Sequence, residues 1–263
     1  MAPEASAART SMVRYAVITA VLGAAFTALG PVLGDLSALT RAAVPAAALM
    51  VVCPPVAAYL VARREGTLRA WVAVLRRWRA PWWAWVVAAV LMPAVVVLST
   101  RAPAGTPDPL PVGGVLALVA VFLVSAALEN AGWSAFALPR MALLATPLVT
   151  GVLIGVFWAL WHVVPYAQGG HSASWIAGQC VFTVVLRVLL VQLSVRSGNL
   201  MWPAVVAHAS YNVAWAASPG AGTAYDPWVA SAWTAAAALA LLATAPRGAR
   251  DRWPASAGVT PPR

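Results

Sequence analysis

Of the seven carboxylates in this chain, six (Glu4, Asp35, Glu65, Asp108, Asp226 and Asp251) fall in tails or polar breaks, where water can solvate them. The seventh, Glu129, lies inside a long apolar run from Val121 to Phe136. An ionisable group at membrane depth costs about 2.5 kcal/mol or more on insertion scales, and marks a functional site by default. Two of the three histidines, His162 and His208, sit in similar apolar runs, while His171 falls in a polar loop and reads as exposed. His208 and Asn212 are four residues apart, so on a helix both side chains project from one face. Polar groups in lipid must meet one another or line a cavity. One Glu, two His and one Asn on three separate apolar segments are therefore expected to meet.

Such a set can hydrolyse a bond in two ways. Glu129 can act as general base on a water while His and Asn side chains stabilise the oxyanion. Alternatively, Glu129, His162 and His208 can hold a divalent metal such as Zn that activates the water. No His-Glu-x-x-His helix is present, so spacing alone leaves both routes open.

The elements that must position these residues follow from composition. The chain has 263 residues, 62% hydrophobic and 9% charged, with mean hydropathy +0.81. Soluble domains carry about 25% charged residues. Apolar runs of the length needed to cross a bilayer as helix recur along the sequence. The expected fold is all-α: a multi-pass protein of the cell membrane with about eight transmembrane helices and both termini cytoplasmic. Residues 1–13 read as an irregular N-terminal arm, and 14–112 as the N-terminal transmembrane helices. A core follows at 113–217, then a last transmembrane helix at 218–245 and a basic tail at 246–263. The individual spans are expected near 15–33, 43–62, 82–98, 113–138, 147–166, 175–195, 200–217 and 228–245. Pro54-Pro55, inside the second of them, is expected to kink it.

All seventeen basic residues are arginine, and their placement explains the net charge of +10. With both ends cytoplasmic, fourteen arginines fall on the inner side, only Arg41 and Arg101 on the outer, and Arg187 within a span. That is a positive-inside pattern, and it removes the need for a nucleic-acid partner. At 63–80, Trp71, Val74, Leu75 and Trp78 repeat at helical spacing among six arginines, which predicts an amphipathic helix on anionic lipid headgroups. Cys53 and Cys180 lie in apolar runs and read as small buried hydrophobes rather than a disulfide.

Three motifs carry a resemblance to a known family. Glu129-x-x-Gly-Trp runs on to Leu138-Pro139, Trp158-x-x-Trp-His162-x-x-Pro165 follows, and Ser197-Gly-Asn-Leu leads to Pro203-x-x-x-x-His208-x-x-x-Asn212. This order resembles the CPBP intramembrane proteases, which include type II CAAX prenyl endopeptidases and Abi-like bacteriocin-immunity proteins. The resemblance covers about residues 115–217. It implies that Glu129 is the catalytic carboxylate and that His162, His208 and Asn212 complete the site. The implied substrate is a peptide or protein in the membrane, CAAX-type or otherwise membrane-delivered. The family pattern Glu-Glu-x-x-x-Arg is altered here, with Asn130 and Ser134 at the second Glu and the Arg. Losing one member of a buried ion pair strands its partner at a cost of roughly 3–5 kcal/mol, whereas losing both strands none.

Arg187 reads either as a snorkelling side chain or backbone-carbonyl partner, or as an ion-pair partner of Glu129. Gln179 and Gln192 read as inter-helix hydrogen-bonding residues. Counting from the helix ends at Pro139, Asn199 and Pro147, Glu129 and His208 lie about 14 Å deep and His162 about 22 Å, so the depths disagree. Two other functions compete with the protease: a catalytically inactive immunity or regulatory protein that binds peptides, and a transporter using Glu129 and the histidines as a proton relay. The transporter would be favoured by matched halves with broken helices, and no such repeat is visible.

Overall fold

The computed structural model describes residues 2–33, 46–101, 110–218 and 224–244. Among these residues the chain is helical, apart from turns and one isolated antiparallel bridge between Thr100 and Tyr225. The helices are α1 (Ala2–Leu33), a 3-10 segment (Ala46–Val52), α2 (Cys53–Arg64), α3 (Leu68–Leu75), α4 (Trp82–Ser99), α5 (Val112–Trp133), α6 (Ala137–Met141), α7 (Pro147–Gln168), α8 (Ala173–Arg196), α9 (Trp202–Ala217) and α10 (Pro227–Ala243).

Among the described residues, five segments are long and apolar enough to cross a membrane: Pro3–Gly30, Trp82–Ser99, Val112–Met141, Pro147–Gln168 and Ala173–Arg196. Of the other three spans that hydropathy predicts, α9 has 16 residues and α10 has 17. The remaining one, near 43–62, divides into the 3-10 segment and the 12-residue α2. Pro54-Pro55 does not kink a helix interior; the pair sits in the first turn of α2, where the missing N–H groups would have had no intrahelical partner. Residues 2–13 form the start of α1 rather than an irregular arm. Arg41, the loop residues 102–109 and the tail 246–263 lie outside the described residues.

Many exposed side chains on the long helices are apolar, among them Val17, Val21, Val90, Val97, Leu116, Val124, Leu153 and Leu160. Such an exterior is stable only against lipid. With its apolar helices, the chain is a membrane protein.

α8 is the central post, with 67% of its apolar window buried. α7 approaches it through two glycines one turn apart. A Cβ on Gly151 would lie 2.8 Å from Val188 Cα, and one on Gly155 would lie 2.9 Å from Val184 Cα and 3.2 Å from Arg187 Cβ. This is the small-xxx-small solution to helix packing in lipid, where van der Waals contact rather than solvent exclusion drives association. α10 closes on the same helix through Gly178, whose carbonyl accepts from Ser231 Oγ at 3.2 Å. α9 leans on α4, with Ser210 Oγ donating to Ala88 O at 2.8 Å.

The amphipathic segment behaves differently from a helix floating on lipid. α3 turns its apolar side toward the protein, where Trp71, Val74 and Leu75 pack on Ala126, Ala135, Met201, Val205 and Ala209. Trp71 Nε1 donates to Ala131 O at 2.9 Å, and Trp202 Nε1 donates to Leu75 O at 2.9 Å. Arg69, Arg76, Arg77 and Arg79 remain exposed. α3 is thus a cationic cap over the end of α5.

Arg140 joins this cap to α1. Its guanidinium donates to Glu65 Oε2 at 3.0 Å, Thr67 Oγ1 at 3.1 Å and Ser11 Oγ at 2.7 Å, and stacks over Phe136 at 3.6 Å. Arg140→Met is expected to lower unfolding free energy by about 1–2 kcal/mol, because partly exposed ion pairs contribute little and the loss is carried by hydrogen bonds. Thermal unfolding in detergent measures this, and an unchanged midpoint would show that the junction is not structural.

Candidate active site

Glu129 lies near the C-terminal end of α5 and is 4% exposed. The last carbonyls of a helix lack intrahelical partners. Here Asn130 O accepts from Ser134 N and Ala135 N, and Ala131 O is taken by the Trp71 indole. Gly132 lets α1 and α2 close on the same turn: a Cβ there would lie 2.5 Å from Tyr15 Oη and 2.7 Å from the Pro54 carbonyl carbon. The carboxylate is therefore carried on backbone fixed from three sides.

The partner of that carboxylate is Trp158 on α7, whose Nε1 donates to Glu129 Oε2 at 2.8 Å. The same indole is the hub of the site. Its ring meets His208 edge-on at 5.0 Å and His162 at 5.8 Å between centroids, and Arg187 Cζ sits 4.2 Å over its face. Two of the expected histidines and Glu129 thus come together around one side chain. The offset expected from the helix ends is retained: Trp158, not His162, meets Glu129 directly, and His162 lies one turn further along α7.

His162 is half-buried and its Nδ1 is 2.8 Å from Trp158 O. A carbonyl only accepts, so Nδ1 carries the proton and Nε2 presents a lone pair. His208 is buried on α9, with Nδ1 3.4 Å from Asn130 Nδ2. Asn212, half-buried, follows one turn later on the same face of α9.

Arg187 is fully buried, and neither expected partner is the one it uses. Its Nη1 reaches Asn130 Oδ1 at 3.3 Å and Ser134 Oγ at 3.5 Å, rather than an ion pair with Glu129 or backbone carbonyls. Asn130 and Ser134 also bond each other, Ser134 Oγ donating to Asn130 Oδ1 at 2.7 Å. The two neutral residues at the altered motif are therefore joined by a cation from a different helix. Gln179 does bridge helices, donating to Tyr211 Oη at 3.1 Å, whereas Gln192 Nε2 is buried without a partner among the described residues. Cys53 and Cys180 are both free thiols, and Cys53 is buried.

The residues present do not fit the metal option. Among the described residues no three His, Cys, Asp or Glu side chains gather into a group able to hold a metal ion. Glu129, His162 and His208 are instead arranged around the Trp158 indole, which meets each of them.

His171 is not simply exposed. Its ring stacks on Trp175 at 3.7 Å, and Tyr166 links that pair to His162 through a 5.5 Å stack. Trp158 stands in the second motif without a role read for it, because its single N–H is carried on a large, mostly apolar ring.

No curated protein matches the chain. Residues 111–214 match the family model described as type II CAAX prenyl endopeptidase Rce1-like. That stretch contains Glu129, Trp158, His162, Arg187, His208 and Asn212, so the region that builds the site is similar to the type II CAAX prenyl endopeptidases of the CPBP family.

Proposed function

We propose that the chain is a multi-pass endopeptidase of the cell membrane that hydrolyses peptide bonds in CAAX-type or other membrane-delivered substrates. Both termini face the cytoplasm, in keeping with the arginine distribution. The observation that carries the reading is the buried Glu129 carboxylate, held by Trp158 within a ring whose edges meet His162 and His208. The family match supports the reaction class.

In this reading Glu129 takes a proton from water, and the hydroxide adds to the scissile carbonyl carbon. His208 and Asn212 donate to the resulting oxyanion, while the His162 Nε2 lone pair accepts from the attacking water. The proton held on Glu129 then passes to the amine nitrogen as the C–N bond breaks, restoring the carboxylate. No step of this sequence is routed through a metal ion.

Trp158→Phe keeps the ring and removes the donor to Glu129. A hydrogen bond to a charged group contributes about 1.5–3 kcal/mol, so kcat/KM is expected to fall about 10- to 100-fold with the fold intact. Cleavage by wild type and variant at matched protein levels measures it; equal rates would remove Trp158 from the site's chemistry.

The function itself is tested by quantitative profiling of peptide N-termini in membranes holding wild type, Glu129→Gln or His208→Ala. New termini confined to wild type would establish proteolysis and name the substrate. Three coincident profiles from folded, abundant protein would overturn it in favour of a peptide-binding immunity or regulatory role, which the altered residues at 130 and 134 would then explain.

A further inference from the structure

We infer that Asn130, locked by Arg187 and Ser134, holds His208 in the tautomer that carries its proton on Nε2, making Asn130 a positioning residue of the site. A carboxamide offers two lone pairs on oxygen and two N–H donors, and all four are used here. Oδ1 accepts from Ser134 Oγ at 2.7 Å and from Arg187 Nη1 at 3.3 Å. Nδ2 donates to Ala126 O at 2.9 Å and faces His208 Nδ1 at 3.4 Å, the long end for an N–H···N bond.

The opposite amide orientation is excluded by the same neighbours. It would place oxygen against the Ala126 carbonyl and an N–H against the guanidinium, setting acceptor on acceptor and donor on donor. Arg187 cannot relax away from this arrangement, because it is fully buried and its Cζ is stacked 4.2 Å over Trp158. With Nδ2 as the donor, His208 Nδ1 must present a lone pair, and the neutral ring keeps its proton on Nε2. A carboxylate at position 130 would accept instead. It would draw the proton to Nδ1 and leave Nε2 as an acceptor. The neutral residue therefore chooses which nitrogen of His208 can donate.

The assignment of the tautomer stands on the network alone; its effect on rate rests on the endopeptidase reading, in which Nε2–H faces the oxyanion. The experiment is nitrogen NMR of the full chain labelled with ¹⁵N-histidine in phospholipid nanodiscs. The chain has three histidines, and the His208 signals are those lost in His208→Ala. Wild type is expected to show His208 protonated at Nε2 and bare at Nδ1, and Asn130→Asp to move the proton to Nδ1. In a cleavage assay the same variant is expected to lower kcat about 100-fold with KM within about twofold, the loss typical of one oxyanion donor. Nδ1 protonated in wild type overturns the proposal without any variant. A tautomer unchanged in folded Asn130→Asp, or one that moves without loss of kcat, also overturns it. Should no form of the chain cleave peptides while the tautomer shifts as expected, the network assignment is upheld and the endopeptidase reading fails.

Discussion

Glu129→Gln is expected to lower kcat by about 10³-fold or more while leaving the thermal midpoint in detergent unchanged or higher. The two effects separate for a physical reason. General-base catalysis contributes about 10²–10⁴-fold, and an amide cannot take the proton from water. Its oxygen can still accept from Trp158 Nε1, which sits 2.8 Å from Glu129 Oε2, so the hub of the site keeps its geometry. A neutral amide is also less costly to bury than a carboxylate. Purified wild type and variant, assayed on one fluorogenic membrane peptide and melted side by side, give both numbers. A kcat within tenfold of wild type would remove Glu129 as the base, and a large drop in midpoint would recast it as structural.

The second large effect is expected from Gly155→Ala. The added Cβ would sit 2.9 Å from Val184 Cα and 3.0 Å from Val184 O, which are backbone atoms that cannot rotate aside. α7 and α8 must move apart, at an overpacking cost of about 1–3 kcal/mol. Trp158 rides on α7 and Arg187 on α8, so the same movement lifts the guanidinium from the ring, and activity is expected to fall about tenfold at temperatures where the protein is still folded. Gly113→Ala supplies the control, since a Cβ there meets nothing within 4 Å. Its effect on stability should stay within about 0.5 kcal/mol. Equal melting of the two variants would show that the α7–α8 seam does not need its glycine.

Glu129, His162 and His208 could be read from sequence because an ionisable group in an apolar run is expensive enough to demand a use. The meeting place could not. Trp158 carries a single N–H on a large apolar body, and hydropathy scores the body. Arg187 was visible as a buried charge, yet its partners are neutral side chains at the C-terminal end of α5 and just beyond it, which no charge-pairing argument selects. The extent of the spans was similarly mixed. The apolar run near 43–62 was plain, but two adjacent prolines can either kink a helix or begin one, and the choice depends on how α1 and Gly132 pack against them. Within the segment expected to be amphipathic at 63–80, the amphipathic helix is confined to Leu68–Leu75, and Trp78 lies beyond it, exposed. Which surface its apolar stripe would meet depended on α5 and α9, distant in sequence, offering a better-shaped one than lipid.

The neutral side chains at positions 130 and 134 also bear on how α5 enters the bilayer. α5 emerges from the ribosome well before α8, so Arg187 cannot accompany it. A full charge costs up to about 2.5–3.5 kcal/mol at the centre of an inserting helix. With Asn130 and Ser134 in place, Glu129 is the sole ionisable residue of α5. The helix therefore carries a single ionisable group, and the cation that joins Asn130 and Ser134 lies on a helix later in the chain, packed at the Gly151–Gly155 seam. The charge that α5 must bring into lipid and the charge that completes its polar cluster are thus carried by different segments of the chain.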